Sequence, residues 1–377
     1  MLQLLFILCL LLVVYTYVGY GIVLRLLLVF RKRHEVLTDD PAEWPEVSLL
    51  ICAYNEQDIV AEKMVNCRAL DYPKEKLHIV WATDGTTDQT NELLAAYPDA
   101  EVYFRPERLG KTAALNRVIP LLKTPFLVLT DANTILNKDA IKVLVRQFQD
   151  PTVACVAGEK RIMVRTGDGL AASGEGAYWR YESTLKRWDS QLYSAMGAAG
   201  ELYAIRREQF QPMDLNMLID DFIMSMRMVQ RGYRIAYTPD AYAMETGSAS
   251  LEDEQKRKVR IAAGGLQSIW ALRSMMNPLR YGIVSFQLIS HRFLRWSITP
   301  LALFALVPLN VAIVLTGGHW IYWVILAMQA IFYLLAACRV KLPYYFTFMN
   351  VNALRAVKYL WTKQRGTGAW EKAKRLR

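Results

Sequence analysis

Between residues 45 and 158 the chain alternates short apolar runs with amphipathic ones, and this pattern restricts the fold more than any other feature. "EVSLLICAYNE", "LHIVWATDG", "AEVYFR", "PFLVLTDA" and "TVACVAG" read as strands. "QDIVAEKMVNCRAL", "TDQTNELLAAY", "KTAALNRVIPLL" and "KDAIKVLVRQF" read as the helices between them. Near-continuous apolar strands joined by helical crossovers predict an α/β domain whose parallel-rich, Rossmann-like sheet is covered on both faces. Sheets of this kind bind ligands beyond the carboxyl ends of their strands.

Those ends are where the unusual polar residues fall. "FLVLTDANTIL" stops on Asp131 and Asn133, two oxygen-bearing side chains two residues apart. Hard oxygen donors at that spacing suit Mg2+ or Mn2+, and through the ion a phosphate; an Asx turn capping the next helix is the alternative. Asp84, in "WATDGTTDQT", can accept a hydrogen bond from a nucleobase N–H or simply make an Asp-Gly turn. Lys111 follows Gly110 at a helix start, a position suited to a diphosphate as well as to a solvated cap. Asp220 and Asp221 precede a helix. One can cap it, or the adjacent negative charges can raise one pKa and make a general base. The chain has no G-x-x-x-x-G-K-[ST], and no G-x-G-x-x-G follows the first strand, which argues against P-loop and dinucleotide sites.

Apolar residues concentrate at both ends of the chain. Leu2 to Leu24 carries no charge and is long enough to span a bilayer. Without a basic stretch before it or a small-residue cleavage site after it, it reads as an anchor rather than a signal peptide. Two further runs, Trp296–Leu315 and Trp320–Cys338, are separated by "TGGH" and read as a hairpin. Arg31, Lys32, Arg33, Arg292, Arg295, Arg339 and Lys341 flank the spans, so the middle of the chain is expected in the cytoplasm and the N-terminus outside. The five cysteines show no metal-type spacing and imply no disulfide framework. A net charge of +10 suits anionic lipid or phosphates. The basic residues are mostly juxtamembrane, which excludes a nucleic-acid groove.

Taken in order, "CAYNE", "TDGTTDQT", "RLGKTAALN", "TDANT", "GAAGELYAIRR", "IDDF" and "QRGYR" resemble the membrane-bound glycosyltransferases of family 2, the group of cellulose, chitin and hyaluronan synthases. The resemblance covers roughly residues 45–270. It implies a GT-A fold, a nucleotide-sugar donor that is usually UDP-linked, a divalent metal and inversion at the anomeric carbon. Ala53, Tyr54, Asn55, Glu56, Asp84, Lys111 and Asp131 then correspond to the nucleotide side. Asp131 and Asn133 match the metal-binding D-x-D with Asn in second place, and Asp221 matches the catalytic base, with Asp220 where the family has Glu. Gly197, Gly200, Glu201 and Asp220 fall on the acceptor and diphosphate side. So do Gln255, Arg257, Lys258 and Arg260 and, in the C-terminal tail, Trp370.

One departure stands out. The synthases carry Q-x-x-R-W, whereas Gln255 is followed here by Lys256, Arg257, Lys258 and Val259, which removes an aromatic surface for an acceptor sugar. With only two spans after the catalytic domain, this favours transfer of one or a few sugars to a membrane-held, lipid-linked or glycan acceptor over processive polymer synthesis. A homo-oligomer that builds a pore keeps the second alternative open. A non-catalytic nucleotide-sugar-binding scaffold is the third, and a transporter fails on the number of spans. The expected organisation is an anchor over 1–30, the catalytic domain over 45–270, amphipathic interfacial helices over 271–296, a hairpin over 297–338 and a basic tail over 339–377. The expected setting is a bacterial inner membrane, in envelope polysaccharide synthesis.

Overall fold

A computed structural model describes residues 1–163, 170–246 and 251–362, and the side chains of these other than 163, 170–178, 246 and 251. The described residues divide into two compact units, one of residues 1–31, 170–185 and 251–362, the other of residues 32–163 and 186–246.

The second unit is built on an eight-stranded sheet. In chain order its strands are β1 (Val47–Ala53), β2 (Leu77–Asp84), β3 (Ala100–Arg105), β4 (Phe126–Asp131), β5 (Ile135–Leu136), β6 (Val153–Met163), β7 (Leu202–Arg206) and β8 (Arg234–Thr246). Their spatial order is β3-β2-β1-β4-β7-β6-β8-β5. The half β3-β2-β1-β4 is wholly parallel, as the apolar strands require. Beyond it the sheet is mixed, with β7 antiparallel to both β4 and β6, β8 parallel to β6, and β5 antiparallel to β8. Val47, Leu49, Ile51, Trp81, Val128 and Ala204 join Val60, Met64 and Cys67 of helix Val60–Ala69 in one core. Burial of this kind is worth roughly 25 cal/mol per Å2 of apolar surface and is what holds the layers together.

Register brings the strand ends into line. Cys52 of β1 lies opposite Asp131 of β4, and Ala53 lies opposite Thr83 of β2. Asp131 opens a four-residue turn that ends at Thr134, after which the chain pairs Ile135 and Leu136 with Met244 and Ala243 of β8, at the far edge of the sheet.

In the first unit, helices Leu2–Phe30, Ile298–Leu315 and Trp320–Ala337 are each long and apolar enough to cross a membrane. Polar pairs link them: Thr16 with Thr299 at 2.8 Å, Asn310 with Gln329 at 3.1 Å, and Tyr17 with Asn350 of helix Lys341–Thr362 at 2.7 Å. Residues 341–362, which fall within the stretch expected as a basic tail, form a helix. A π-helical turn, Tyr15–Gly19, interrupts the first of these helices, and the Tyr17 carbonyl accepts from the Tyr181 hydroxyl at 2.7 Å. The 283–296 stretch is helical with a second π-turn, Leu288–Phe293. His291, Arg292 and Arg295 are buried there around Glu182, at 3.2, 2.7 and 2.6 Å. Burial pushes the Glu182 carboxyl up, but Arg292, His291 and Arg295 outweigh it and hold the group well below the usual carboxylate range.

Candidate active site

The site lies at the carboxyl ends of β1, β2 and β4. At the end of β2, Asp84 is buried and its Oδ2 accepts from the Leu109 and Gly110 amides at 2.9 and 2.6 Å. Its Oδ1 is buried with no hydrogen-bond partner among the described residues, as are the Thr83 and Thr86 hydroxyls beside it in sequence. Buried polar atoms of this kind are normally satisfied, so an acceptor and two hydroxyls are available here to a ligand or water. Gly85 follows with φ +67°, where a Cβ would lie 2.6 Å from the Arg108 Cα, so the close approach of the two loops needs glycine. The Arg108 guanidinium stacks 3.6 Å over the Tyr54 ring. Asn55, at φ +54°, accepts from the Thr87 amide at 2.8 Å, and the Glu56 amide donates to Thr90. The segment after β1 and the segment after β2 thus hold each other.

Lys111 begins helix Lys111–Val118 after Gly110, whose φ is +94°. Its ammonium lies 2.7 Å from Asp131 Oδ1 and 3.9 Å from Asp220 Oδ2. Burial alone would lower the lysine pKa. Asp131 and Asp220 reverse that and hold it well above the ordinary value, so the cation is permanent. Gly200 packs against both ends of this cluster: a Cβ there would sit 3.3 Å from Asp221 Oδ2 and 3.4 Å from Lys111 Nζ. Gly197, at φ +94°, is equally restricted, because its Cβ would meet the Phe222 ring. Asp221 Oδ1 accepts from the Phe222 amide at 2.8 Å. Desolvation first and the neighbouring Asp220 second raise the Asp221 carboxyl from 3.8 to about 7, with Lys111 pulling the other way. A carboxyl poised there is matched to proton transfer near neutral pH.

Five side chains or chain segments picked from sequence therefore meet, namely Lys111, Asp131, Gly200, Asp220 and Asp221. Glu201 is next to them, its carbonyl accepting from Thr130 at 2.8 Å and its carboxylate from Lys160 at 2.6 Å; Lys160 also pairs with Glu245. No group of three or more His, Cys, Asp or Glu side chains able to hold a metal exists among the described residues. Asp131 and Asn133 are hard oxygen donors, and an ion held by them would take its remaining ligands from phosphate and water, the usual arrangement for Mg2+ at nucleotide sites. The Asp131 side chain is 30% exposed.

Gln255, Arg257, Lys258 and Arg260 lie on helix Leu251–Ala271 of the first unit. There Arg257 and Lys258 each approach Glu254 at 3.2 Å, and Lys258 is 5% exposed, so this stretch is not a solvated basic face. Trp370 lies outside the described residues. Sequence reasoning passed over Arg108, Lys160 and Lys63. The signal for Lys63 was a lysine in phase with Val60, Met64 and Cys67 on the buried side of its helix.

A sheet of this topology, with acidic residues at the ends of its parallel strands, defines a GT-A glycosyltransferase fold. The same fold is found in a mannosyltransferase from Pyrobaculum calidifontis solved with GDP-Man and Mn2+, with a TM-score of 0.77 and 23% identity over 97% of this chain and 100% of that one. Residues 45–264, more than half the chain, match the family described as glycosyltransferase like family 2, and the chain belongs to that family. Among curated proteins it is similar to the poly-beta-1,6-N-acetyl-D-glucosamine synthases of Staphylococcus aureus and Staphylococcus epidermidis. The S. aureus protein is 27% identical over 58% of this chain and 54% of that protein, the S. epidermidis protein 24% over 60% and 57%. The chain spans about half the length of these relatives. Three helices among the described residues are long and apolar enough to cross a membrane, which suggests a membrane protein.

Proposed function

We propose that the chain is an inverting glycosyltransferase that moves a sugar from a UDP-linked donor to a membrane-held acceptor, either lipid-linked or a glycan. The observation that carries this reading is the Lys111 cation shared between Asp131 and Asp220, next to an Asp221 carboxyl poised near neutrality. Asp221 takes the proton of an acceptor hydroxyl. The oxygen so freed attacks the anomeric carbon from the face opposite the nucleotide, and the bonding pair leaves with the donor's phosphate oxygen, inverting the centre. Lys111 stabilises the negative charge gathering on the departing diphosphate. A divalent cation held by Asp131 and Asn133 would neutralise more of that charge. The buried Oδ1 of Asp84 is suited to a base N–H, and the Tyr54–Arg108 stack offers a flat wall beside it.

The basic residues flanking the spans support a cytoplasmic catalytic unit. Transfer of one or a few sugars is the leading reading. The similarity to poly-beta-1,6-N-acetyl-D-glucosamine synthases favours polymer synthesis as the second.

The test uses the full chain in nanodiscs, with a panel of UDP-sugars and GDP-mannose, Mn2+ or Mg2+, and native lipid extract as acceptor source. Nucleoside diphosphate release from one donor, lost in Asp221→Asn and Asp131→Ala, is the expected result. Product size then separates single transfer from polymerisation. Turnover unchanged in Asp221→Asn would sink the assignment of the base.

A further inference from the structure

Lys63 is 1% exposed on helix Val60–Ala69, in the face that otherwise buries Val60, Met64 and Cys67. An ammonium in such a face is costly unless its protons find acceptors. All three acceptors within its reach belong to residues on either side of Asp131 and Asn133. They are the Thr134 carbonyl at 2.7 Å, the Thr134 hydroxyl at 3.3 Å and the Thr130 hydroxyl at 3.4 Å. The two hydroxyls are 2.8 Å apart and are themselves engaged, Thr134 Oγ1 donating to the Asp131 carbonyl at 2.8 Å and Thr130 Oγ1 to the Glu201 carbonyl at 2.8 Å.

Proton counting shows what the lysine adds. Each hydroxyl has one proton, and with Thr134's given to the Asp131 carbonyl, Thr130 has one to share between Glu201 and Thr134. At least one hydroxyl oxygen and the Thr134 carbonyl then need an outside donor. Lys63, with three protons and no acceptor, supplies it.

We propose that Lys63 is a positioning residue for the Asp131–Thr134 turn: its buried ammonium ties both ends of the turn together and so fixes the spacing at which Asp131 and Asn133 present their oxygens to a divalent cation. The inference rests on the metal reading of Asp131 and Asn133 given above. Geometry favours it over a packing role. Just beyond the turn the chain leaves β4 at the middle of the sheet for β5 at its edge, so no neighbouring strand on the β5 side of the turn holds it in register with β4. The sheet binds the turn's two flanks in different places, and Lys63 bonds both, beside the Thr130–Thr134 hydroxyl contact and the Thr134 bonds to the Asp131 carbonyl. Burial lowers the Lys63 pKa to about 8, while the nearby Cys67 and Asp131 favour the ammonium. Groups that orient ligands without touching the metal typically change metal affinity about 10- to 100-fold when removed.

The experiment uses the full-length protein in nanodiscs and three variants: Lys63→Met, which keeps the length of the side chain, Thr134→Val, which keeps the lysine–carbonyl bond, and the two combined. Mn2+ binding in the presence of UDP or GDP is followed by loss of the free Mn2+ electron paramagnetic resonance signal. Amide exchange of residues 132–135 is measured in metal-free protein. Lys63→Met should weaken Mn2+ binding at least about tenfold and speed exchange in the turn, while metal-free nucleotide affinity stays at the wild-type value. Thr134→Val should shift both in the same direction by less, and the double variant should fall short of the sum, as coupled groups do. Wild-type Mn2+ affinity in either folded variant overturns the proposal, however much its melting temperature falls. If Lys63→Met does not fold, Thr134→Val decides by the same readouts. A wild-type protein that binds no Mn2+ with either nucleotide overturns the metal reading itself, an outcome distinct from the loss of affinity in a variant.

Discussion

Replacing Asp220 by Asn tests the electrostatic assignment of Asp221 directly. The Asp221 carboxyl is raised from 3.8 to about 7, by desolvation first and by the Asp220 charge second. Asn has nearly the shape of Asp and removes only the charge, so the desolvation part stays while the Coulombic part goes. An opposite charge nearby shifts a carboxyl by about 1–3 units, and a like charge acts through the same Coulomb interaction with the sign reversed; with desolvation the larger cause here, the Asp220 share should be near the low end, about one unit. The sign follows from the chemistry. A vanished negative neighbour makes ionisation of Asp221 easier, so its pKa falls toward 6. The base works only when ionised, so the acid limb of the kcat/KM profile moves down by the same amount. At pH 6 the ionised fraction rises from about a tenth to about a half, a gain of about fivefold in the base's contribution, fading above pH 8. Asp220 also faces Lys111 at 3.9 Å, so the plateau itself should drop as that cation shifts toward Asp131. The readout is therefore the position of the limb, measured as nucleoside diphosphate release between pH 5 and 9. An acid limb that stays in place, or moves to higher pH, refutes the argument that Asp220 tunes Asp221.

Two further substitutions probe other parts of the molecule. Gly85→Ala puts a Cβ against the Arg108 backbone at a positive φ, so metal-free UDP affinity should fall at least about tenfold, with a stability loss of about 1–3 kcal/mol, measured by calorimetry. Glu182→Gln leaves Arg292 and Arg295 buried without their carboxylate and should cost about 3–5 kcal/mol, seen as a lower melting temperature in detergent. Because the folded pKa of Glu182 is depressed, its contribution is present above the unfolded carboxylate value and lost as pH falls through the folded one. The gap between wild type and Glu182→Gln should therefore narrow on acidification.

The sequence by itself determined the parallel half of the sheet, because strands buried on both faces must be continuously apolar and each needs a helix to return. It also placed Asp84 and Asp131 at the carboxyl ends of parallel strands, the edge at which such sheets bind ligands, and Lys111 and Asp221 at helix starts. Three apolar stretches long enough to cross a membrane were legible for the same local reason. Tertiary structure alone decided the rest. Nothing local pairs β8 with β6 in parallel, or sends the chain from β4 to a strand at the far edge. Nor does anything near Glu182 in sequence announce Arg292 and Arg295, more than a hundred residues away. Lys63 shows the limit most clearly. Its helical phase says that it points inward, but which acceptors await it depends on a turn about seventy residues later, and only the folded sheet brings that turn to it. Proximity of this kind comes from packing, which sums contacts over the whole chain, whereas periodicity and capping are local and can be read along it.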